Sequence, residues 1–268
     1  MSNKPIGIFD SGLGGLTCVR EVMKILPNEN IIYFGDTSRV PYGTRSRDTI
    51  IKYVRQDINF LKKFDIKFII VACGTASTVL PMIADEFDVE ILGVVSPASA
   101  EAVRVTKHKK IGVLGTIGTV NSNKYHEGIF KLDSSIEVVS QACPLFVPLV
   151  ENGHLSGGLP TLAAKEYLQP LKEAKVDTVI LGCTHYPLLS NVIREILGND
   201  VNLVDAGRAA ALSALERLAE LDIENKSDSG GRVQYFVSDD AAGFSKRGGM
   251  FLEREITGSV KQINIEDY

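Results

Sequence analysis

Several things are scarce in this 268-residue chain, and each scarcity removes a class of function. Its longest apolar runs, such as FIIVA and DTVILG, are far shorter than the roughly 18 residues of a spanning helix. The opening MSNKPIGIFDSG has no apolar core of signal-peptide length and breaks into Gly and Ser almost at once. Together these predict a cytoplasmic chain with no membrane partner. Basic charge is not in excess: 29 Lys and Arg stand against 33 Asp and Glu, for a net charge of -4. No nucleic-acid partner held by bulk electrostatics is expected. Cysteine is sparse, with Cys18, Cys73, Cys143 and Cys183 scattered through a chain too large to need disulfide staples. That pattern predicts free thiols in a reducing compartment. A disulfide-exchange enzyme would favour a Cys-x-x-Cys motif, and zinc would need ligands in close sequence pairs; both are absent.

What is present is core-forming material. Hydrophobic residues make up 44% of the chain and charged residues only 23%, enough for one large domain or two modest ones. Short β-branched runs (IGIFD, NIIYFGD, KFIIVAC, VEILGVV, KKIGVLG, TVILGC, VNLVDA) alternate with helical patterns such as LTCVREVMKIL, DTIIKYVRQDINFLKKF and AAALSALERLAEL. This alternation predicts an α/β fold with mostly parallel, doubly covered sheets. A faint repeat runs through it: IGIFDSGLGG resembles IGVLGTIGTV, and FIIVACGTAS resembles TVILGCTHYP at a similar offset. Two similar domains are therefore expected, 1–97 plus a returning segment 208–268 that carries the strand VQYFVSD, and 98–207. Pro97 in VVSPASAEAV suggests a crossover hinge between them.

Ligands of open parallel sheets gather beyond the carboxyl ends of the strands. Asp10, Asp36, Cys73 and Cys183 each end such a strand, so facing halves would bring them to one cleft. Read alone, a cysteine after an apolar strand is a small buried hydrophobe. Two at matching places in a repeat suggest more, because each precedes a threonine-containing turn, Gly74-Thr75 or Thr184-His185, that leads into helical pattern. Backbone N–H groups at a helix start would lower a thiol pKa. An ordinary thiol titrates near ~8.5, so one sulfur could take a proton while the other returns one to the opposite face of a stereocentre. Cys18, at a core spacing in LTCVREVMKIL, and Cys143, before Pro144, read as packing residues.

The stretches GIFDSGLGGLT, YFGDTSRVPYG, ACGTAS, CPLFVPLVENG and LGCTHYPLL, in this order, resemble the glutamate racemase family across nearly the whole chain. The resemblance implies cofactor-independent interconversion of L- and D-glutamate, with the D-isomer supplied to peptidoglycan, and a homodimer. It implies that Cys73 deprotonates D-glutamate and Cys183 L-glutamate, with Asp10 assisting Cys73 and His185 partnering Cys183. It also implies substrate contacts at Asp10, Ser11, Tyr42, Gly43, Gly74, Thr75, Thr184 and His185. Asp36 and Glu151 are weaker candidates for tuning the thiols, since acids at loop ends are usually only solvated. Many family members carry Asn where this chain has Gly74, whose missing side chain is expected to cost one contact and add backbone freedom; Gly74→Asn should then act mainly on KM.

Three other readings compete. An aspartate or related dicarboxylate racemase would share the thiol pair. A non-catalytic amino-acid-binding protein would not need both thiols. A pyridoxal enzyme would need a Schiff-base lysine and a phosphate loop, and Asp10 immediately before SGLGG would repel that phosphate.

Overall fold

The computed structural model describes residues 3–227 and 229–268. Ten strands among them form two sheets, parallel throughout. They are β1 (Ile6–Asp10), β2 (Ile31–Gly35), β3 (Phe68–Val71), β4 (Glu90–Gly93), β5 (Lys110–Gly115), β6 (Glu137–Ala142), β7 (Thr178–Leu181), β8 (Asn202–Asp205), β9 (Val233–Val237) and β10 (Val260–Gln262). Between them run helices α1 (Leu16–Ile25), α2 (Arg47–Leu61), α3 (Gly74–Ser77), α4 (Val95–Val105), α5 (Ile117–Asn121), α6 (Lys124–Leu132), α7 (Phe146–Glu151), α8 (Gly158–Ala174), α9 (Ser190–Leu197), α10 (Ala206–Glu220) and α11 (Ala241–Leu252). Every residue of β1, β2, β3 and β7 is buried, which is why these strands read as unbroken apolar runs rather than alternating ones.

The first sheet has the order β10-β9-β2-β1-β3-β4 and the second β6-β5-β7-β8. The internal repeat thus has a structural counterpart: β2-β1-β3-β4 and β6-β5-β7-β8 are the same four-strand arrangement. Even the register matches, with Ile6 opposite Phe68 in one sheet and Ile111 opposite Thr178 in the other. Cys73 and Cys183 each follow, by two residues, the strand next to the β4 or β8 edge of their sheet, so they occupy equivalent places. The C-terminal strands β9 and β10 extend the first sheet beyond β2, Val233 pairing with Ile31 and Val260 with Tyr235.

The expected hinge at VVSPASAEAV is instead the beginning of α4. Pro97 falls in the first turn of that helix, where a missing N–H breaks no intrahelical bond, and Ala98 and Ala102 are buried. Helix α4 packs on α6 and β7 of the second sheet, while α10 packs on both α4 and α1. The alanine run Ala209–Ala211 and Ala214 is buried along α10, so small side chains form the seam that ties the two halves together. Strands β6 and β10 escape sequence reading because both lie at sheet edges, β6 with no buried residue and β10 with only three residues.

All four cysteines are free and buried. Cys18 touches the Gly207 carbonyl at 3.8 Å and Cys143 the Gln141 carbonyl at 3.6 Å. Burial raises the pKa of both thiols. A raised folded-state pKa stabilises the fold fully only below the unfolded thiol's value near ~8.5 and is lost as pH climbs above it, at up to about 1.4 kcal/mol per pH unit per thiol. Thermal unfolding should therefore show an alkaline loss of stability beginning near that pH, and Cys18→Ala or Cys143→Ala should flatten it at the cost of a small cavity. An alkaline slope unaltered in both variants would contradict the assignment.

Candidate active site

The carboxyl ends of β1, β3, β5 and β7 converge on one small cavity of about 30 Å³. Its walls include Ser11, Tyr42, Gly43, Cys73, Gly74, Thr75, Thr184, His185 and Cys183, all anticipated, together with Val40, Pro41, Thr116, Val147 and Gly182, which were not. Asp10, Asp36 and Glu151 stand one layer behind, each hydrogen-bonded to the side chain of a residue that borders the cavity. A space of this size holds about one water molecule and is too small for an amino acid without widening.

On the first wall Cys73 caps α3: its Sγ accepts from the Ala76 N–H at 3.4 Å and lies 3.8 Å from the Ser11 hydroxyl. On the second wall the Cys183 Sγ lies 3.9 Å from His185 Nδ1, while His185 Nε2 lies 3.1 Å from Glu151 Oε1. Glu151 cannot donate when ionised, and its hydrogen bond with His185 holds its pKa low. His185 therefore carries a proton on Nε2, while its Nδ1 faces the thiol and, at 3.4 Å, the Thr184 hydroxyl. Asp10 bridges the walls, accepting from the Gly12 N–H at 3.0 Å and from the Thr184 hydroxyl at 3.4 Å. A cluster of three hydroxyls, Thr75, Thr116 and Thr119, joins the walls again, at 2.9–3.2 Å.

The thiols are not the activated groups that a helix start alone would predict. Burial, and after it the charge of Asp10, pushes the Cys73 thiol up to about 12 despite the Ala76 and Ser11 hydrogen bonds that oppose the shift. Burial raises Cys183 as well, against the His185 backbone bond. Desolvation outweighs the N–H dipoles because both sulfurs are nearly sealed from water. Burial likewise raises Asp10.

Asp36 is placed away from both sulfurs. Its carboxylate receives the Tyr42 hydroxyl, Arg39 Nε at 2.6 Å and the Ser238 hydroxyl at 2.8 Å. The Tyr42 phenol is thereby turned from the cavity, leaving the backbone of Tyr42 and Gly43 to face it. Thr116 stands in the repeat where Ser11 stands, IGVLGT against IGIFDS.

A model of the Asp/Glu/hydantoin racemase family matches residues 16–214. The chain belongs to that family. Among its relatives, a glutamate racemase of Geobacter metallireducens is 45% identical, the alignment covering 98% of this chain and 97% of that one. Among solved structures, a glutamate racemase isoform of Bacillus anthracis superposes with a TM-score of 0.94 at 36% identity, covering 98% of each chain. A glutamate racemase of Francisella tularensis, solved with D-glutamate, gives 0.93 at 38% identity over the full length of both chains.

Gly74 needs a different explanation from the one its sequence suggested. Its φ is not positive, so it is not kept for backbone freedom. Instead a Cβ there would lie 2.2 Å from the Gly182 carbonyl oxygen, backbone of the opposite wall that no rotamer change can move. A side chain at this position would hold the walls apart. Gly74→Asn should therefore fold, since nothing within its own unit crowds the site, yet lose at least about tenfold in kcat/KM through impaired closure. Steady-state kinetics within twofold of the parent would contradict this.

Proposed function

We infer that this protein interconverts L- and D-glutamate by proton exchange at the α-carbon, with Cys73 and Cys183 as the two acid/base groups. The observation that carries this reading is the placement of two thiols at equivalent positions of two repeated units, lining one cavity. The glutamate racemases among its full-length relatives, one of them solved with D-glutamate, support the choice of substrate.

In one direction the Cys73 thiolate removes the α-proton of D-glutamate and the Cys183 thiol delivers its own proton to the other face; the reverse direction exchanges the roles. Such a transfer needs no electron sink beyond the substrate's own carboxylate. Because burial keeps both thiols protonated in the closed cavity, one proton must leave before the chemistry starts. His185 Nδ1 is the acceptor on the Cys183 side, with Glu151 stabilising the imidazolium that results. On the Cys73 side, Asp10 is the carboxylate whose charge the thiol feels, and the ammonium group of a bound amino acid would offset it. The backbone at Tyr42, Gly43 and Gly74 and the hydroxyls of Ser11, Thr75, Thr116 and Thr184 supply neutral donors for the two substrate carboxylates.

We place the domains at 1–97 with 208–268 and at 98–207, supported by the membership of the two sheets. The free thiols support a reducing, cytoplasmic setting, and no helix among the described residues is long and apolar enough to cross a membrane. A homodimer supplying D-glutamate for peptidoglycan is the working assembly and role that the family suggests.

Enantiomers in water have equal free energies, so kcat/KM must be the same in both directions for the enzyme and for every variant. Polarimetric assays starting from each enantiomer should show glutamate racemised faster than aspartate, and Cys73→Ala and Cys183→Ala should each lose about 10³-fold or more in both directions. Near-normal turnover by either variant, or a preference for aspartate, would contradict the reading.

A further inference from the structure

Behind Tyr42 lies a sealed polar cluster that the thiol chemistry does not use. The Tyr42 hydroxyl is within hydrogen-bond distance of two carboxyl groups, Asp36 Oδ2 and, at 2.9 Å, Asp57 Oδ2. A phenol has one proton and can donate to only one of them. The other contact needs a proton from the acid. Asp36 is already committed as an acceptor, taking Arg39 Nε at 2.6 Å and the Ser238 hydroxyl at 2.8 Å. Asp57 accepts Arg39 Nη2 at 3.0 Å on Oδ1, which leaves Oδ2 for the phenol. Both carboxyls are fully buried, and Arg39 is the one cation bonded to either of them among the described residues. A second buried anion here would be uncompensated.

We propose that Asp57 is a neutral carboxylic acid that donates its proton to the Tyr42 hydroxyl, which donates in turn to Asp36, and that this chain positions the Tyr42–Gly43 backbone for the substrate's carboxylate. Burial, and next the Asp36 charge, raises the Asp57 pKa well above the carboxylate range; Arg39 and the Tyr42 bond oppose the shift and Asp10 adds to it. Gln56, beside Asp57 on α2, is bonded to Arg39, and Glu266 reaches Arg39 from the exposed side at 3.5 Å. The link to the cavity is steric. A Cβ on Gly43 would stand 2.7 Å from the Thr116 side chain of the opposite wall, so a small shift of this turn changes how the walls meet. The positioning role rests on the reading that Tyr42 and Gly43 meet a substrate carboxylate; the protonation of Asp57 does not.

Two measurements separate these parts. Infrared spectra at neutral pH should contain a protonated-carboxyl band that Asp57→Asn removes, whether or not glutamate is the substrate. In kinetics, Asp57→Asn keeps a donor for Tyr42 and an acceptor for Arg39, so its kcat/KM should stay within about threefold of the parent. Asp36→Asn and Asp57→Leu break the chain, and KM for glutamate should rise at least about tenfold with a smaller change in kcat. Absence of the band, or an Asp57→Asn variant as impaired as Asp57→Leu, would overturn the proposal. An unchanged KM in Asp36→Asn would overturn the positioning role, and a parent protein inactive on glutamate would instead remove the functional reading beneath it.

Discussion

The architecture turns on one contact: the N-terminal residue of α3, Gly74, packs without a side chain against the carbonyl of Gly182 at the end of β7. This is backbone against backbone, with no rotamer to yield. It lies between the two repeated sheets and directly beside Cys73 and Cys183, the residues that precede Gly74 and follow Gly182. The loop at Gly14 repeats the device, since a Cβ there would collide with Thr184 and His185. Glycine at these positions serves close approach between walls.

Closure has an electrostatic consequence. Sealing two thiols beside Asp10 in a cavity of about 30 Å³ favours the uncharged sulfur at both positions. Glu151 orients His185 on one side, and Asp10 spans the walls through Thr184 on the other.

Much of this was legible because strand ends are legible. Asp10, Cys73 and Cys183 each sit where an unbroken apolar run gives way to small polar residues, and parallel sheets place ligands there. The equivalence of Ser11 and Thr116 is likewise present in the aligned segments. What stayed hidden depends on contacts between distant segments. Nothing in KFIIVACGTAS reveals that Gly74 meets Gly182, or that burial would outweigh the helix-start N–H groups at the thiols. Asp57, on a helix, and Arg39, in a turn, become a buried pair only when folding encloses them around Tyr42. Pro97 misled for a local reason, since the same residue that marks a turn is tolerated in the first turn of a helix.

The central claim is that the group removing the substrate proton differs from the group supplying the product proton. Initial-rate racemisation in deuterated water, with mass analysis of both enantiomers, tests it most directly. The donor thiol will have exchanged with solvent before the reaction, so product formed early from either enantiomer should carry deuterium at the α-carbon while recovered substrate carries little. Substantial protium in the early product would mean that a single base returns the proton it removed, and would contradict the two-thiol account.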